Sequence, residues 1–157
     1  EEIPATGALI RNSIAGQCQT MLHPPVSMLG IPAMKKVARE IPRWPEELGE
    51  DKAAKCLLQV REYLNSPPGS EGVHLTAGRN LYIRFLEEAG PIAGLDFSRA
   101  ISLLRESMAT VPRLHAAILQ NDLEEAAARL RHIAQAEEGA FSELERIAGL
   151  ADDAQDA

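Results

Sequence analysis

At 157 residues the chain has the length of one domain, enough to bury roughly two-thirds of its unfolded surface around a core. Its 45 % hydrophobic and 25 % charged residues exclude the disordered class, and no apolar run reaches the roughly 18 residues of a spanning helix. The 16 Lys+Arg against 23 Asp+Glu, a net charge of −7, disfavour nucleic acid as a partner, because the surface repels a phosphate backbone. No signal peptide and no membrane partner are indicated, and a start at Glu1 rather than Met leaves room for a longer parent. Cys18 and Cys56 are too few for a disulfide scaffold and too far apart for a zinc motif, so the expected setting is reducing and cytoplasmic.

Proline is concentrated before residue 70, so helices there are short. Segment 8–22 sets Ile10, Ile14, Cys18 and Met21 on one helical face and stops at His23-Pro24-Pro25. Segment 33–41 fits a helix between Pro32 and Pro42, and segment 51–65 carries Ala53, Leu57, Val60 and Leu64 along a stripe that ends at Asn65-Ser66-Pro67-Pro68-Gly69. The stretch 66–73 reads as an exposed loop. Thr76 caps a further helix through Leu81, Tyr82, Phe85, Leu86 and Ala89, with Gly90-Pro91 as its expected end.

The last two helices, 97–120 and 122–150, are marked by Asp96 as N-cap, by Leu95 and Ala100 as a hydrophobic staple, and by Asn121 with Glu124 as a capping box. Phe97, Ile101, Leu104, Met108, Val111, His115 and Ile118 follow steps of four and three. So do Leu123, Ala127, Leu130, Ala134, Glu137, Phe141, Leu144 and Ala148. A short turn makes the two antiparallel and sets Val111 against Leu130, Met108 against Ala134 and Leu104 against Glu137. Pro112 is expected to kink or break the first near Met108. The tail 151–157, with Asp152, Asp153 and Asp156, is expected to fray outside the helix. No segment alternates like a strand, so the fold expected is an all-α bundle of five to six helices in one domain, its short helices packed on the C-terminal hairpin.

Chemistry is sparse. Glu137 is a carboxylate on an apolar seam, and the expected partner is Arg105, beside Leu104, in a pair that fixes helix register. His115 reads as a core or rim histidine, and His132 as a solvated one, because phosphotransfer would need cations that Glu138 opposes. His23, His74 and His132 fall in separate segments, so neither a metal nor any other cofactor is expected. The basic cluster Lys35, Lys36, Arg39 and Arg43 with Trp44 fits a partner-binding spot, or else offsets the acidic C-terminal helix while Trp44 plugs the core. No nucleotide-binding loop, nucleophile elbow or Cys-x-x-Cys occurs.

The reading that follows is a non-enzymatic interaction or regulatory domain, binding a protein partner or a second copy of itself, since the wide apolar face of the last helix calls for further cover. The alternative is a small-molecule sensor whose pocket is lined by Met21, Met28, Met34, Tyr82, Phe85 and Met108.

Overall fold

The computed structural model describes residues 2–25, 30–64 and 75–156. These form α1 (Glu2–Leu22), α2 (Gly30–Glu40), α3 (Trp44–Leu48), α4 (Glu50–Leu64), α5 (Leu75–Ala93), α6 (Ser98–Leu119) and α7 (Leu123–Asp156), with a 3-10 turn at Ile41–Arg43. The fold is all-α, and the described residues include no strand and no helix long and apolar enough to cross a membrane. The expected loop 66–73 and Met28 lie outside the described residues.

Helix ends depart from the sequence expectation in instructive ways. Pro42 opens the 3-10 turn and Pro45 opens α3, where a missing N–H costs nothing, so the break after α2 becomes a bend into a further short helix. Pro91 does not end α5, because in a last turn it forfeits little. The stop is Gly94, at φ 69°, where the Leu95 N–H bonds the Gly90 carbonyl at 2.9 Å in a Schellman closure.

The α6–α7 turn closes in the same way on a residue other than glycine. Asn121 takes φ 54°, its N–H bonds Ile118 O at 3.1 Å, and the Asp122 N–H bonds Ala117 O at 2.9 Å. Asp122, rather than Asn121, then caps α7, its Oδ1 accepting from the Glu125 N–H at 3.2 Å. At the start of α6 the N-cap is Phe97 rather than Asp96, which stands one residue before it with its Oδ1 accepting from the Ser98 N–H at 2.9 Å. Pro112 leaves α6 continuous. α7 runs on to Asp156 where a frayed tail was expected, since alanine-rich helix propensity outweighs the few tenths of a kcal/mol lost by acids near a C-terminus.

The hairpin carries the rest. Leu103 Cδ1 lies 3.3 Å from where a Cβ on Gly139 would stand, which agrees with the alignment of Leu104 against Glu137. Two apolar cores are strung along it. One joins Met34, Trp44, Leu57, Leu64 and Leu75 to Val111, Leu114 and Leu130, and the other joins Ile14, Cys18, Ile83 and Leu86 to Leu104, Phe141 and Leu144. The start of α2 is pressed onto the last turn of α1: a Cβ on Gly30 would stand 2.7 Å from Met21 O, and φ there is +65°. Gly30→Ala should therefore lower stability by about 2–3 kcal/mol in urea unfolding, with the helix content of the folded state retained.

Candidate functional site

Between the two cores lies a polar layer. The buried polar residues among those described are Arg79, Ser107, Thr110 and Glu137. On α5, Arg79 falls between Leu75 of one core and Ile83 of the other, and on α7 Glu137 falls between Ala134 and Ala140. Arg79 Nε donates to both carboxylate oxygens of Glu137, at 2.7 and 3.0 Å, and Glu137 is 0 % exposed. The guanidinium also lies 3.8 Å from Met21 Sδ through Nη2 and 5.2 Å from the centroid of the Phe141 ring, a cation–π distance. Burial pushes the Glu137 carboxyl above its usual range, while the Arg79 charge and its hydrogen bonds pull the other way.

The predicted Arg105–Glu137 pair is thus corrected. Arg105, one residue past buried Leu104, is turned about 100° away from the seam and bonds Glu87 on the exposed side of α5. The true partner was legible in the stripe Leu75, Arg79, Ile83, Leu86, where an arginine interrupts an apolar face at helical spacing.

Above this layer α2 and α4 wall a cleft of about 470 Å³, its lining completed by Trp44, Leu75 and Leu130. Gly30, Ala33, Met34 and Val37 line it from α2, and Cys56, Gln59, Val60, Tyr63 and Leu64 from α4. The volume lies within the roughly 300–1,000 Å³ of small-molecule pockets, and the lining is apolar but for Gln59, Tyr63 and the Cys56 thiol. Tyr63, 52 % exposed, stands at the mouth. Its hydroxyl pKa is raised by burial, lowered by Arg79 and raised by Glu137, so the cleft wall lies within the field of the ion pair.

The remaining predicted residues scatter. The supposed pocket of Met21, Met34, Tyr82, Phe85 and Met108 does not form, because Met21, Tyr82 and Phe85 pack in the core around Phe141 while Met34 and Met108 pack in the core around Leu130. Only Met34 reaches the cleft. Met21 packs on Arg79; Tyr82 and Phe85 line a groove with Ser13, Gln17, Arg84 and Glu88; Met108 lines a recess with Pro112 and His115. The groove is larger, about 640 Å³, but charged and polar side chains supply half of its lining. His115 is half-buried with no partner for Nε2 among the described residues. His132, expected to be solvated, lies 3.1 Å from Glu106, and His23 lies 3.2 Å from Glu145.

The basic cluster is only partly free. Lys35 is tied to Glu138 of α7, Arg43 lies 3.9 Å from Glu47, and Trp44 is buried in the core and cleft, while Lys36 and Arg39 remain at the surface. No group of three metal-binding side chains gathers among the described residues. Cys18, by contrast with Cys56, is fully buried, its Sγ donating to Phe141 O at 3.4 Å, and its thiol is pushed up to about 12 by burial first and by Glu145 second.

The ion pair generates a mutational expectation. Glu137→Gln strands a buried guanidinium and should cost about 3 kcal/mol in urea unfolding, whereas Arg79→Met combined with Glu137→Leu, which removes both charges, should recover most of that loss.

No curated protein and no solved structure matches the chain. A family model does, over residues 1–144, and the chain belongs to the family that this model describes as a domain of unknown function (DUF4872).

Proposed function

We propose that this chain is a helical binding domain that holds one small, largely apolar molecule in the cleft between α2 and α4. The observation that carries the reading is the cleft itself: a cavity of about 470 Å³ lined by Met34, Val37, Trp44, Cys56 and Val60, with Gln59 and Tyr63 to orient an occupant. Methionine and small residues on α2 adapt to ligand shape, and the rigid tryptophan adds a broad apolar surface to the lining. The reading of the Lys35 to Trp44 segment as a protein-docking spot is less well supported, because Lys35 is occupied by Glu138 and Trp44 faces inward, away from an external partner.

Trp44 is the one tryptophan of the chain and Cys56 the more accessible of its two thiols, so both report on the cleft. Titration with decanol, a neutral apolar probe, should shift the Trp44 emission saturably and slow iodoacetamide alkylation of Cys56, while Cys18 stays unlabelled throughout. Ala33→Phe, which fills the cleft from α2, should abolish both effects without loss of helix signal. An emission spectrum indifferent both to decanol and to decanoate, its carboxylate counterpart, would overturn the proposal.

A further inference from the structure

The polar groups around the cleft are distributed unevenly, and this unevenness indicates the ligand. The α2 wall contributes Gly30, Ala33, Met34 and Val37, which present no side-chain hydrogen-bond donor of oxygen or nitrogen. The α4 wall contributes Gln59 and Tyr63, both able to donate. Lys52, Cys56, Gln59 and Tyr63 follow one another at steps of four, three and four, so Lys52 continues the cleft-facing stripe one turn beyond the lining, and Lys55 precedes Gln59 by one turn.

Lysine is otherwise absent from the molecule: all four lysines, Lys35, Lys36, Lys52 and Lys55, belong to α2 and α4. Lys35 is engaged by Glu138. Among the described residues no carboxylate lies within ion-pair distance of the other three. Glu40 extends the α2 stripe with the opposite sign, but Lys36 sits four residues before it on the same helix and offsets it. On α4 Asp51 sits four residues before Lys55 and offsets it in the same way, which leaves Lys52, with no carboxylate three or four residues away on its helix, as the cation that continues the cleft-facing stripe in a chain whose net charge is −7.

From this arrangement, and resting on the cleft reading above, we infer that the molecule taken up is an amphipathic anion. Its apolar body lies against α2 and Trp44, and its acidic head is met by Lys52, with Tyr63 and Gln59 as further donors. An ammonium head is disfavoured at the same place by repulsion from Lys52, and a neutral head forgoes the attraction.

The test compares decanoate with decanol, which share the same chain length and differ in the head, by Trp44 emission at low ionic strength. Decanoate should bind at least about fivefold more tightly than decanol, and the preference should shrink as salt is added. In a Lys52→Gln variant the preference should vanish through loss of decanoate affinity alone, with decanol binding unchanged. Equal affinities in the unmodified protein, or a preference that survives in the Lys52→Gln variant, would overturn the anionic assignment while leaving the cleft reading in place. Failure of both probes to bind would overturn the cleft reading and this inference together.

Discussion

A single desolvated ion pair sets the terms for the rest of this bundle. Glu137 has no access to water, so its charge is tolerable only with Arg79 held beside it, and that requirement fixes α5 against α7 to within a hydrogen-bond length. Sliding α7 by one turn would bring Ile133 or Phe141 opposite the guanidinium and leave two buried charges unanswered. The apolar stripe alone would tolerate such a slip, since alanine and leucine recur along α7 at the same spacing. The pair thus supplies selectivity of register, while the two flanking cores supply the bulk of the burial.

The same layer organises what lies above and below it. On α6 Ser107 and Thr110 fall between Leu104 of one core and Val111 of the other, so three helices carry their buried polar residues in the stretch between the cores. Polar residues there keep the two cores from merging, and the cleft opens in the upper one, where short helices separated by prolines cannot pack as closely as α6 and α7 do. Tyr63 joins the two features, lining the cleft while its hydroxyl senses the charges of the layer below.

Much of this architecture was legible from residue spacing. The steps of four and three on α6 and α7 gave the hairpin and its alignment, and the isolated carboxylate at position 137 announced a buried partner. The partner was misread because the sequence neighbour of Leu104 was favoured over the arginine on the α5 stripe, and distance along the chain says little about which helix lies across a seam. The ligand cleft was misplaced for a related reason. Methionines and aromatics were pooled by type, yet Met21 and Tyr82 pack in one core and Met108 in the other, and only tertiary packing decides which of them meet. The helix ends at Ala93 and at Asp122 were each displaced by a few residues or one, since several turn-forming residues stood side by side and the backbone conformation at Gly94 and Asn121 selected among them.

The division into two cores also bears on how the molecule opens. The buried residues of α3 and α4 belong wholly to the upper core, and those of α1 wholly to the lower, while α6 and α7 run through both. Release of the α4 arm exposes only the upper half, so its free energy lies below that of global unfolding. Exchange of material with the interior of the upper core therefore needs no disturbance of the α1 half, and amide hydrogens of the two arms report separate opening events within one continuous hairpin.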